Sequence, residues 1–326
     1  MTRDRYRPQC RTAVALALAA IAVTACGDRR PLSTTTRVPD DGATPAGVLT
    51  IGAVSLEPAR EHAMVLAFAE ELASRLHGVG IGRARVVVEP SLGAMAARVQ
   101  RGEVDLYLDS PFPVSWVIRE TGARPLLRRL KRGEVSYRSV LFARRDAGLR
   151  SVEDLQGRVI AFGEPFSTSS FLLPKASLAE RGFKLERYED VAAEVPPDVV
   201  GYVFSNDSEN TMMWVLKGRI VAGAANAEYF ASLAGERRGE LMVLLESEEV
   251  PRNIACCRRD LPAEVRDAIE NVLLELHLDE RGCQALLRYE ETARFDRFPV
   301  EPERALARVS ALLPFVTDDL GGQVRP

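Results

Sequence analysis

The stretch Phe162-Gly-Glu-Pro-Phe-Ser-Thr-Ser-Ser-Phe-Leu-Leu-Pro174 gathers hydroxyl donors at one place in the chain. An apolar β-type run ends at Phe162, and Gly163 and Pro165 mark a loop. Ser167, Thr168, Ser169 and Ser170 stand where the next helical pattern begins. The first turn of a helix presents backbone N–H groups without internal acceptors, at the positive end of the helix dipole. Hydroxyls there add donors, so an anion with several oxygens, such as phosphate, fits without a formal positive charge from the protein. Serine and threonine are also favoured helix caps. One cap needs one such residue, and a run of four exceeds that need.

Other residues have a functional and a plain reading. Ser110, in Asp109-Ser110-Pro111, ends a strand-like run. Tyr137 opens another, as a ligand contact or as a buried core aromatic. In Asn206-Asp-Ser-Glu-Asn210, Ser208 or Asn210 could donate neutral hydrogen bonds, while Glu209 would repel a phosphate or meet a ligand amine. The same five residues also read as an ordinary capped helix start. His62, His77 and His277 fall in helical patterns, none beside a Ser or Cys in a catalytic motif. Catalysis therefore lacks its constellation. The adjacent Cys256-Cys257 is not a metal-ligand spacing, and neither metal nor cofactor is expected.

The surrounding pattern supplies elements to hold these residues. Residues 48–54, 85–89 and 104–108 read as strands, with helices at 60–76 and 93–101 between them. Strands at 137–144, 158–162, 220–224 and 241–245 follow, with helices at 151–157, 170–181 and 208–218. The tail reads as helices over 262–277, 279–290 and 301–312, whose apolar stripes should cover a lobe. Strand–helix alternation at this spacing predicts an α/β fold with parallel βαβ units. Two such blocks in 326 residues predict two lobes with a ligand cleft between them.

The N-terminus has its own pattern. Arg3, Arg5, Arg7 and Arg11 precede an uncharged run from Thr12 to Ala25, too short to span a bilayer. This is the layout of a secretory signal. It ends Val23-Thr24-Ala25-Cys26-Gly27, which resembles the lipobox of bacterial lipoproteins. That resemblance implies cleavage before Cys26, lipid on its thiol and an acylated amine, enough for stable anchoring. Residues 1–25 are then the signal, and residues 26–47, rich in Thr, Pro, Gly and Asp, a lipidated tether. Cleavage removes four Arg and one Asp, which takes the formal charge from −3 to −6. A mildly acidic protein has no general attraction for nucleic acid. Three cysteines remain in a disulfide-permissive compartment, so Cys283 either pairs with Cys256 or Cys257 or stays a thiol.

Several landmarks then follow one another in the order of a known family. They are Gly102-Glu-Val-Asp-Leu106, Tyr137-Arg-Ser139, Ser151-Val-Glu-Asp-Leu-Gln-Gly157 and Glu164-Pro-Phe-Ser-Thr-Ser169 with Pro174. In the tail come Leu261-Pro262, Leu278-Asp-Glu-Arg-Gly282 and Thr292-Ala-Arg-Phe295. This sequence resembles the phosphate/phosphonate/phosphite-binding components of bacterial ABC importers over about residues 48–312. The resemblance implies a type II periplasmic binding fold joined by two crossing strands. Lobe 1 would be residues 48–143 plus 252–326, and lobe 2 residues 144–251. It implies a small oxyanion ligand held by Ser167, Thr168 and Ser169, with Tyr137 and a first-lobe group such as Ser110 opposite. It also implies an ABC permease as partner, on the periplasmic side of the membrane. Two departures stand out: Ser170 replaces the family's usual Gly, and no His stands in 206–210. A sensor of the same fold, signalling to a membrane kinase or cyclase, is the alternative.

Overall fold

A computed structural model describes residues 47–320 of the chain. Cys26, the signal and nearly all of the tether lie outside the described residues. No described helix is long and apolar enough to cross a membrane.

The described strands are β1 (Gly47–Val54), β2 (Ile81–Glu89), β3 (Leu106–Asp109), β4 (Arg124–Lys131), β5 (Ser136–Tyr137), β6 (Ser139–Arg144) and β7 (Val159–Phe162). They continue as β8 (Lys184–Arg187), β9 (Val199–Phe204), β10 (Ala222–Asn226), β11 (Leu241–Glu246), β12 (Val250–Pro251), β13 (Asn253–Cys257) and β14 (Thr292–Asp296). They form two six-stranded sheets, ordered β14-β4-β13-β3-β1-β2 and β11-β6-β10-β7-β9-β8, and the small pair β12-β5. In each sheet the βαβ part is parallel and the added strands are antiparallel. Each local choice follows from the residues. The last six positions of β1 are buried, as a central strand requires. The helix Pro58–Ala73 buries Val65, Phe68, Ala69 and Leu72, one stripe at helical spacing, against its sheet. The charged edge strand β8 is largely exposed, where its unpaired side invites no partner.

The chain passes between the sheets twice, from β4 to β6 and from β11 to β13. The two passages pair with each other where Tyr137 faces Val250 in β5 and β12. Because β6 pairs with β10 and β11 in the second sheet, that sheet takes in residues 139–143, which the division at 143/144 had given to lobe 1. The other expected division, at 251/252, falls between β12 and β13.

The helix expected over 170–181 begins earlier and in two parts. A π-helical turn covers Thr168–Leu172 and an α-helix covers Leu173–Ala179. Pro174 sits in the first turn of that α-helix, where its missing N–H removes no bond. The helix Pro111–Thr121 follows the same logic despite two prolines in its opening residues. Cys256 and Cys257 are buried in β13, and Cys283 lies on the helix Glu280–Arg288. No disulfide joins these three, and the Cys283 thiol donates to the His277 carbonyl at 3.2 Å.

The tail makes a third link between lobes. The helix Pro302–Leu312 packs on Pro111–Thr121, and Leu313–Val316 then packs on Leu173–Ala179. There Asp319 forms a buried ion pair with Lys175 and accepts from the Tyr202 hydroxyl, while Lys175 Nζ also lies 3.0 Å from that hydroxyl. Removing one partner of a buried pair strands the other charge and costs about 3–5 kcal/mol. Asp319→Ala is expected to lose about 3 kcal/mol of stability in urea unfolding; a loss under about 0.5 kcal/mol would show that the tail does not depend on this pair.

Candidate functional site

The carboxyl ends of β1, β3 and β7 and both interlobe passages open onto a cleft of about 650 Å³. A second cavity, of about 740 Å³, lies between Pro111–Thr121, β4 and two tail helices on lobe 1, away from the hydroxyl-rich loop. The cleft receives both lobes and that loop.

Ser167 precedes the first helical residue, and its hydroxyl accepts from the Ser170 amide at 3.2 Å and from the Ser170 hydroxyl at 2.7 Å. The amides of Thr168 and Ser169 follow in the first turn, where a helix offers no internal acceptor. Thr168 donates to the Ser110 hydroxyl at 2.9 Å and accepts from the Phe112 amide at 2.9 Å, so it ties this turn to the helix of the opposite lobe. The buried Tyr137 hydroxyl joins Thr168 and Ser110, and burial pushes it up to about 12. The Ser169 hydroxyl faces the cleft and makes no hydrogen bond within the described residues.

Ser167, Thr168, Ser169, Ser110 and Tyr137 therefore line one cleft. Ser170 and Ser208 do not. Ser170 turns toward Gly163, where a Cβ on Gly163 would lie 2.3 Å from the Ser170 Oγ. This explains how a serine fits where the family usually has glycine: the space is made at position 163. At the next helix, Asp207 caps Ser208–Leu216, and Asn206, Asp207 and Asn210 reach the cleft instead of Ser208. Asn206 holds a left-handed backbone with φ 62°.

The cleft is rich in carboxyls. Eight line it against five cationic side chains. Arg129 and Lys131, on β4, converge on Glu290, whose own backbone is left-handed at φ 52°. Burial opposes ionisation of Glu290, but Arg129 and Lys131 outweigh it and hold the carboxyl at about 2. The Arg129 guanidinium also lies 4.3 Å from the centre of the Tyr289 ring. Four other carboxyls are displaced upward, Glu134 among them through its burial. Burial first, then Glu290 and Asp109, raises Glu61 to about 7. Burial raises Asp109 to about 6 against the hydrogen bonds from the Tyr107 hydroxyl and the Ser110 amide. Burial, then Asp207 and Asp109, raises Glu164 to about 7.

Sequence reasoning missed Glu61, Arg129, Lys131, Glu164 and Glu290. The signal available was the run of cations Arg128-Arg129-Leu130-Lys131 in a strand, and a carboxylate within the hydroxyl-rich loop itself. No cluster of metal-ligating side chains occurs among the described residues.

Two α/β lobes, two crossings and a cleft lined by an N-terminal helical turn define a type II periplasmic binding protein. A family model described as "ABC transporter, phosphonate, periplasmic substrate-binding protein" matches residues 51–298, and the chain belongs to this family. Its members bind substrate for a transporter and are not enzymes. The chain is 23% identical over 296 residues to the phosphate-import protein PhnD of Mycolicibacterium smegmatis, with 83% of each covered. XAC2383 from Xanthomonas citri superposes with a TM-score of 0.79 when bound to chloride, at 24% identity over 83% of this chain and 99% of that one. Bound to ATP it gives 0.74, at 25% identity over 83% and 98%. PhnD1 from Prochlorococcus marinus, in complex with methylphosphonate, gives 0.61 at 17% identity over 82% and 98%.

Two predictions follow from the geometry. Gly163→Ala should cost about 1–3 kcal/mol by overpacking, and Ser170→Gly in that background should recover most of it; no recovery in a thermal melt would place the strain elsewhere. The second concerns pH. Glu61, Asp109 and Glu164 hold protons in the folded protein at pH values where the unfolded chain has lost them. Their contribution to stability is present at low pH and lost as pH rises through about 6–7. The unliganded protein should therefore melt at lower temperature as pH rises from about 5 to about 8, with a shallower decline in Glu61→Gln. A melting temperature that climbs over this interval would contradict the assignment.

Proposed function

We propose that this protein captures an organophosphonate carrying a cationic amino end and delivers it to an ABC permease. The observation behind this reading is the charge of the cleft: neutral donors form the cradle at Thr168 and Ser169, while carboxyls outnumber cations around it. A bare phosphate would meet that excess of negative charge without compensation. An ammonium on the ligand would compensate it, beside Glu61 and Asp109, which line the same cleft. The size of the cleft supports a substituted ligand. At ~30 Å³ per water it holds on the order of twenty waters, far more than one oxyanion displaces. The phosphoryl group is common to the family's phosphonate, the phosphate of the mycobacterial relative and the ATP of XAC2383.

Binding draws the lobes together about residues 132–138 and 247–252, since the closed form gains contacts from both. Lipid on Cys26 holds the protein at the membrane, and residues 26–47 set its reach to the permease. This part of the reading rests on the signal layout and the lipobox-like Val23–Gly27.

Isothermal titration near neutral pH tests the ligand. 2-Aminoethylphosphonate should bind more tightly than methylphosphonate, and both more tightly than inorganic phosphate. Ser169→Ala should weaken all three by about tenfold or more, the loss of a hydrogen bond to a charged group. Phosphate binding as tightly as 2-aminoethylphosphonate would sink the amino-phosphonate assignment.

A further inference from the structure

Glu164 occupies an unexpected place for a carboxylate. It stands three residues before Ser167, and its carbonyl accepts the Ser167 amide at 3.0 Å, which closes the turn carrying the cradle. Its side chain lines the cleft with Ser167, Thr168 and Ser169. Several other cleft carboxyls are engaged by protein donors. Glu290 meets Arg129 and Lys131, Glu134 meets Arg252 at 3.1 Å, and Asp207 accepts from the Glu209 and Asn210 amides. Glu164 makes no ion pair and no side-chain hydrogen bond to another described residue. The charged groups facing it are Asp207 from the neighbouring loop, Asp109 from the end of β3 and Lys131 from the end of β4. Two acids against one base make a charged Glu164 unfavourable even before an anion arrives.

A phosphonate dianion beside a glutamate anion is strongly repulsive in a closed, desolvated cleft. One proton between them converts that repulsion into a short, charge-assisted hydrogen bond. Phosphoryl groups suit such sharing because their second ionisation lies near neutrality, at about 6 in phosphate monoesters.

We propose that Glu164 shares a single proton with the phosphoryl group held at Thr168 and Ser169, so that phosphonate binding is coupled to protons through this residue. The proposal rests on the phosphonate reading above. The proton balance is simple. In mildly alkaline solution the free ligand is a dianion and Glu164 is ionised, so the complex draws one proton from the buffer. Burial and the neighbouring acids already raise Glu164 toward neutrality, which favours that uptake.

The test is isothermal titration of the purified protein at about pH 8.5 in two buffers of different ionisation enthalpy, with 2-aminoethylphosphonate and methylphosphonate as probes. At that pH Glu61 and Asp109 are already ionised, so an ammonium releases few protons from them. The wild type should take up about one proton per ligand, and its affinity should fall nearly tenfold per pH unit above that point. Glu164→Gln should bind without that uptake and with a flat pH profile, while Glu164→Asp should keep it. Uptake that is absent in the wild type, or equal in wild type and Glu164→Gln, overturns the shared proton and leaves the phosphonate reading intact. Failure of the wild type to bind either probe overturns both.

Discussion

On the phosphonate reading proposed above, a doubly charged oxyanion must be held in a cleft whose own ionisable groups are mostly acidic. The rest of the site answers to that constraint. Neutral donors take the place of a cation: the amides at the start of the Thr168–Leu172 turn and the hydroxyl of Ser169. Arg129 and Lys131, two of the five cations lining the cleft, are already bound to Glu290 and add little free positive charge. Carboxyls near the ligand are driven toward their neutral forms by burial. Each of these features weakens the global repulsion without placing a fixed counter-ion, which suits a carrier that must also let its ligand go.

The cradle is held in place from several directions. Gly163 leaves room for Ser170, Thr168 is tied to Ser110 and Phe112 across the cleft, and Lys175, a few residues along the same helical segment, is tied to Asp319 in the tail. The loop is therefore coupled to the opposite lobe and to the end of the described chain, so lobe movement and cradle geometry are not independent. The left-handed backbones at Asn206 and Glu290 lie at cleft-lining residues, where strain is commonly kept for function.

Much of this organisation was legible in the sequence, and the gaps have physical reasons. The strands of the first βαβ unit and the helices with apolar stripes follow from periodicity. The hydroxyl run pointed to the cleft because four such residues exceed what capping needs, and Ser167, Thr168 and Ser169 do line it. The helix Pro111–Thr121 was hidden by its prolines, which are tolerated in a first turn although they discourage a helical reading. Strand β13 was hidden because its fully buried residues do not alternate. The acidic character of the cleft was hidden more deeply. Glu61, Asp109, Glu164 and Glu290 come from four distant parts of the chain, and only the fold brings them together. Ser170 misled because its type fits the cradle, while its direction depends on the missing Cβ of Gly163.

The central claim is that the phosphoryl group sits at the start of the Thr168–Leu172 turn, with the amino end among the opposing carboxyls. A crystal structure of the protein with 2-aminoethylphosphonate tests this most directly. The account predicts phosphoryl oxygens within hydrogen-bond reach of the Thr168 and Ser169 amides, the Ser169 hydroxyl and the Glu164 carboxyl, and the ammonium beside Glu61 or Asp109. A ligand lying in the reverse orientation, with its phosphoryl group on Arg129 and Lys131, would contradict it.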